Sequence, residues 1–157
     1  MHLSPHFTLS EMTKSQTALR RGIGNSLDPG NPDDAEVINN LRLLCLEVLE
    51  PVREAFGIPF APSSGYRSPA LNTALGSKPT SQHVLGQAVD FELPGIPNLK
   101  LAQWVRDHLK YDQLILEFHE PSEPASGWVH VSLKETGNRR RELTINRKGV
   151  FPGLGKA

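Results

Sequence analysis

Two histidines and one aspartate set the first constraint on how this chain can fold. Ser81-Gln82-His83-Val84-Leu85-Gly86-Gln87-Ala88-Val89-Asp90 puts a histidine and an aspartate seven residues apart. Forty residues on, Trp128-Val129-His130-Val131-Ser132-Leu133 offers a second histidine inside a strand-like run. Two imidazoles and one carboxylate are a common ligand set for a zinc ion that keeps its fourth position open. Ligands must converge in space, so the loop at His83 and the segments bearing Asp90 and His130 have to meet. Alternation along the second run puts Trp128, His130 and Ser132 on one face and Val129, Val131 and Leu133 on the other. The first face suits a site and the second a core. Gly86 lets the backbone turn tightly between His83 and Asp90. The spacing alone is not one of the strong short-range zinc patterns. His119, directly after an apolar run, is a competing ligand, whereas His2, His6 and His108 look incidental.

The rest of the chain bounds the reading. At 157 residues it is expected to form one domain, 1–157, with its core over about 7–147 and a poorly ordered Gly- and Pro-containing tail over 149–157. Lys plus Arg and Asp plus Glu both number 17, so the formal net charge is zero. That argues against a nucleic-acid or membrane-surface binder. Arg139-Arg140-Arg141 reads as a solvated face. The single cysteine, Cys45, excludes an internal disulfide and fits a small core residue. The first residues lack the basic region and apolar run of a signal peptide, and no apolar run is long enough to span a bilayer. The expectation is a monomer made in the cytoplasm, which needs another agent to deliver it if its substrate lies outside the membrane.

Thr8-Leu9-Ser10-Glu11 resembles a capping box, so a short helix starts near Ser10, with a Gly- and Pro-rich loop after it. Asn31 or Asp33 caps the next helix, whose stripe runs from Val37 through Leu49 to Phe56, with Pro51 as an interruption and Gly57 as its C-terminal cap. Ile58 to Ser64 reads as a strand near an edge. Ser68 caps a helix over about 69–75 that has Pro69 at its first position. Strands follow at 87–93, 112–118 and 128–133, with an edge strand at 142–146, and Asn98 caps an intervening helix. Helices gather early and strands late, which makes the fold class α+β with a central, mainly antiparallel sheet and flanking helices.

The motif Ser81-x-His83-x-x-Gly86-x-Ala88-x-Asp90, with Ser64-Gly65-Tyr66-Arg67-Ser68 before it and Trp128-Val129-His130 after it, resembles the zinc D-Ala-D-Ala carboxypeptidase family. That family includes phage endolysins that cut peptidoglycan stem peptides. The likeness extends to Phe7-Thr8-Leu9-Ser10-Glu11 and Asn72 and covers roughly residues 7–133 in order. It implies the α+β fold shared with the Hedgehog amino-terminal domain. It also implies zinc on His83, Asp90 and His130, and Arg67 at a substrate carboxylate or polarised carbonyl, where a planar, always-charged fork is suited. Many relatives carry the catalytic carboxylate three residues before the last histidine, and here that residue is Gly127. The general base therefore cannot be carried over by position. Glu117, closing the strand expected to neighbour His130, is the replacement, with Glu123 as runner-up.

The resemblance thus implies a zinc metallopeptidase that hydrolyses peptidoglycan stem peptides, as a carboxypeptidase or an endopeptidase. Zinc would activate a water, Glu117 would take its proton, and Ser81 or Gln82 would add hydrogen bonds to the substrate. Trp128 and Tyr66 are read as cleft walls, with core packing an equal account of both. Such a chain would act on the cell wall after endolysin-like release, or when carried in a virion. The alternative is a non-catalytic zinc-containing module that binds peptide or serves in the virion structure.

Overall fold

The computed structural model describes residues 1–155. Short helices come first. α1 (Leu9–Thr13) carries the expected capping box, with Thr8 and Glu11 satisfying each other's backbone donors. α2 (Gln16–Arg21) is capped by Ser15 and occupies part of the stretch before the expected loop. A 3₁₀ turn at Pro32–Asp34, capped by Asn31, leads into α3 (Ala35–Leu44). Pro51 does not break the apolar stripe that follows. A π turn (Cys45–Leu49) comes instead one turn before it, with the Glu50 N–H reaching back to the Cys45 carbonyl. The widening accommodates the missing proline donor, and the helix resumes as α4 (Glu50–Phe56), which Gly57 ends in the left-handed region. Cys45 is buried as expected.

Residues 58–64 correct one expectation: no strand forms there. Pro59 and Pro62 remove two ladder donors, and only a bridge between Ser64 and Asp90 remains. α5 (Pro69–Ala74) starts on the expected Ser68 cap. α6 (Asn98–His108) begins one residue earlier than expected. Asn98 is its first helical residue rather than its cap, and its amide donates to Glu92 and to the carbonyls of Ser126 and Gly127.

The sheet runs β1-β3-β2-β4-β5, from β1 (Ala88–Phe91), β2 (Gln113–Glu117), β3 (Trp128–Ser132), β4 (Arg141–Asn146) and β5 (Gly149–Pro152). Only β2 and β4 pair in parallel, so the fold is α+β with a mainly antiparallel sheet. β4 is not the edge. The stretch expected to be a poorly ordered tail supplies β5 beyond it, while residues 156–157 lie outside the described part. One face of the strands, including Val89, Leu114, Leu116, Val129 and Val131, joins Leu41 and Leu44 of α3 and Leu101 and Val105 of α6 in one hydrophobic cluster. The opposite face carries polar residues on β1 and β3 and aliphatic ones towards β4 and β5. No helix among the described residues is long and apolar enough to cross a membrane.

The arginine run is not simply a solvated face. Asp112, at the start of β2, is fully buried and accepts from the Arg139 backbone N–H (2.9 Å), Nε (3.1 Å) and Nη2 (2.7 Å), and from Gln82 Nε2 (3.1 Å). Arg140 lies over the Tyr111 ring, 4.7 Å from its centroid. The Arg139 hydrogen bonds hold the Asp112 carboxyl well below the usual carboxylate range, against the effect of burial. A carboxyl depressed by folding contributes stability above its unfolded value, near pH 4, and loses it as pH falls towards the lower folded value. Asp112→Asn is therefore expected to lower the unfolding free energy by about 2–3 kcal/mol at pH 7, and its gap to the parent should narrow below about pH 4. Denaturant midpoints across pH read both; equal midpoints at pH 7 would show that the clamp contributes nothing net.

Candidate metal centre

Antiparallel pairing puts Asp90 of β1 directly opposite His130 of β3, with both side chains on the face away from the hydrophobic cluster. His83 comes from the loop after α5. The loop is held in shape by short-range bonds: the Ser81 hydroxyl accepts from the His83 N–H, the Arg67 N–H donates to the His83 carbonyl (3.1 Å), and Gly86 sits at φ 71°. The Gln82 amide donates to Asp112 and lies 3.4 Å from Gln87, which ties the loop to the start of β2. All three residues are buried, and one ligand atom from each lies within 4.8 Å of the others.

The donor chemistry fits a cation. His83 Nδ1 lies 2.7 Å from the Gly65 carbonyl, which can only accept, so this nitrogen carries the hydrogen. In a neutral ring Nε2 is then a lone pair, and it faces Asp90 Oδ2 at 3.4 Å. Two acceptors face to face need a shared positive charge, and a backbone carbonyl orienting the far nitrogen is the usual support for a metal-binding imidazole. His130 Nδ1 lies 2.8 Å from Asp90 Oδ1. Burial would raise the Asp90 carboxyl, but the neighbouring His130 and His83 outweigh it and hold the group well below its ordinary value. A buried, ionised carboxylate between two imidazoles is a donor set that suits zinc.

Two further side chains face this centre. Arg67 Nη2 lies 3.5 Å from Asp90 Oδ2, while its Nε and Nη1 donate to the hydroxyls of Ser64 and Ser77. Glu117 ends β2 opposite Trp128, on the same face as His130. Burial raises its carboxyl above the ordinary value, the Asp90 charge adds to this, and His130 and Arg67 oppose it. Gly127 stands at φ 71°, and a Cβ there would collide with the Glu117 carbonyl oxygen and the Phe118 carbonyl carbon. Position 127 therefore cannot carry any side chain in this backbone.

The remaining sequence candidates divide. His119 is turned to the Ser126 carbonyl and stands outside the ligand group. Glu123 is an exposed residue of the polar loop. Ser81, Gln82 and His130 line a common cleft; Tyr66 and Arg67 line another. Trp128 packs at 5.5 Å against Phe118, and its indole N–H is buried without a partner among the described residues. Sequence reasoning missed the Gly65 carbonyl behind His83 and the Ser63-Ser64 segment, whose backbone bonds to both the N–H and carbonyl of Asp90. These are backbone roles, which side-chain patterns do not signal.

The model of the family described as Peptidase M15 matches residues 5–132. Among curated proteins no match is found.

The geometry carries an expectation about metal. The purified chain should take up one zinc per molecule, and His83→Ala and His130→Ala should each lose most of it when metal content is measured after dialysis. Full retention in either variant would remove that residue from the ligand set.

Proposed function

The chain belongs to the peptidase M15 family, and we propose that it is a zinc-dependent peptidase acting on peptidoglycan stem peptides. The bond is either a terminal D-Ala-D-Ala linkage or one within the stem. The observation that carries this reading is the buried His83–Asp90–His130 group with Arg67 against it and Glu117 on the same sheet face.

His83, Asp90 and His130 would hold a zinc ion, which would supply the Lewis acidity to polarise a carbonyl and bring a water's pKa towards neutrality. The protein's own residues do the rest. Glu117 accepts the proton of the attacking water on its carboxylate and returns it to the leaving amine. A carboxyl raised above its ordinary value by burial is suited to both halves of that exchange, since it holds the proton more firmly than an exposed one. Arg67 presents its guanidinium beside Asp90 and binds the substrate carboxylate or carbonyl oxygen, with its orientation set by Ser64 and Ser77. Ser81 and Gln82 lie on the wall of the cleft that His130 lines, Tyr66 lines a second cleft with Arg67, and Trp128 offers aromatic surface beside Glu117.

Purified chain incubated with peptidoglycan should release free amines, stop when a chelator is added, and recover with zinc. A chain that binds zinc and peptide but releases nothing would instead be a non-catalytic module. Two variants examine the roles. Glu117→Gln should keep its zinc and lose about 10²–10⁴-fold in kcat; unaltered turnover would assign the proton transfer to another group. Arg67→Lys should keep zinc and thermal stability but lose about 10–100-fold in kcat/KM, because lysine cannot reproduce a forked contact. Parent-like kinetics would make Arg67 a structural residue of the turn.

A further inference from the structure

The family match ends at residue 132, but the sheet does not. β4 and β5 continue the face that carries the metal centre. The register runs Asp90–His130–Ile115–Leu143–Pro152 in one row and Trp128–Glu117–Ile145–Val150 in the next. Each row therefore passes from the polar groups of the site to aliphatic side chains supplied by the C-terminal hairpin. Val150 is 60% exposed although it is β-branched and apolar. The buried Ile115 and Leu143, the half-buried Ile145 and the exposed Val150 line the same cleft of about 620 Å³ that His130 lines.

The cleft also has a sign. No aspartate or glutamate lines it, while Lys78 and Arg139 do. Arg139 is committed to Asp112. Lys78 has no ion pair among the described residues. Its backbone carbonyl is gripped by the Asn72 amide (2.9 Å) and the Ser81 N–H (3.0 Å), so the ammonium is presented from a fixed point on the lip.

We propose that this shelf is a specificity subsite for a substrate residue whose aliphatic stem ends in a carboxylate. The methylenes lie on Ile115, Ile145 and Val150, and the carboxylate meets the Lys78 ammonium. The inference rests on the peptidase reading, and it makes β4 and β5 part of the substrate-binding surface rather than a brace for the sheet. A side-chain carboxylate and a chain-terminal one offer Lys78 the same chemistry, and amidating one or the other tells them apart.

The test uses the full zinc-loaded chain and three synthetic stem peptides that differ only in which carboxylate is free: both, the side chain's alone, or the terminus alone. kcat/KM is measured for the parent, Lys78→Met and Val150→Thr. The Glu117→Gln chain, alone and combined with each substitution, reads peptide affinity by fluorescence anisotropy without turnover. In the parent, amidation of the recognised carboxylate should weaken binding about two- to fivefold, the range of an exposed ion pair. Lys78→Met should bring that ratio close to one, and Val150→Thr should weaken binding of all three peptides. Both positions are exposed, so neither change should disturb the melting temperature. The proposal is overturned if amidation changes nothing, if Lys78→Met leaves the ratio at its parent value, or if Val150→Thr leaves every affinity unchanged. If the parent cuts none of the peptides, the peptidase reading fails, while the anisotropy data still decide whether the shelf binds them.

Discussion

The pairing of Asp90 with His130 is the contact on which the site and the fold both depend. The register is not chosen by the two polar residues. It is chosen by Val89, Val129 and Val131, whose side chains alternate with them and enter the hydrophobic cluster. A slip of one residue would reverse the faces. Each valine brought out would forfeit about 1.5–3 kcal/mol of burial, and a carboxylate and an imidazole would enter an apolar interior without partners. The core therefore places these candidate ligands, and the Ser63-Ser64 backbone closes the other side of β1 at Asp90.

With the ligands placed, electrostatics separates the two carboxylates of this face. Asp90 is enclosed by His130, His83 and Arg67, and these hold it ionised despite its burial. Glu117, two strands away, is half-buried, and its partial burial and then the Asp90 charge push its carboxyl upward against His130 and Arg67. One group is thus suited to ligation and the other to proton exchange. The division follows from environment, since the two residue types have nearly the same intrinsic acidity.

Much of this was legible in the sequence because it rests on alternation and caps. The Trp128–Ser132 faces, the Thr8–Glu11 box, Ser68 before Pro69 and the Gly57 cap all fall where the residues place them. What escaped was set by long-range partners. Ile58 to Ser64 has strand-like composition but two prolines, and only its end reaches β1. β5 looks like a tail until β4 offers it a partner; its alternation is too short to announce a strand. Arg139 looks solvated until Asp112 is seen buried beneath it. The candidate trio His83, Asp90 and His130 was visible as residue types, while the carbonyl behind His83 was not, since any residue at position 65 has one.

Gly127 shapes the backbone at the end of β2. Its left-handed backbone and the absent side chain let the Glu117–His119 backbone pass against it more closely than any Cβ would permit. Phe118, next to Glu117, takes φ 54°, a conformation that a phenylalanine adopts only under constraint from its surroundings. That constraint includes the Phe118 N–H held on the Ile145 carbonyl at 2.7 Å. The bend ends β2 just after Glu117, with this carboxylate on the metal face opposite Trp128. Restoring a carboxylate at 127 would thus force the backbone beside Glu117 to move. The obstacle is backbone, so it would meet any side chain at 127 whatever residue stood at 117.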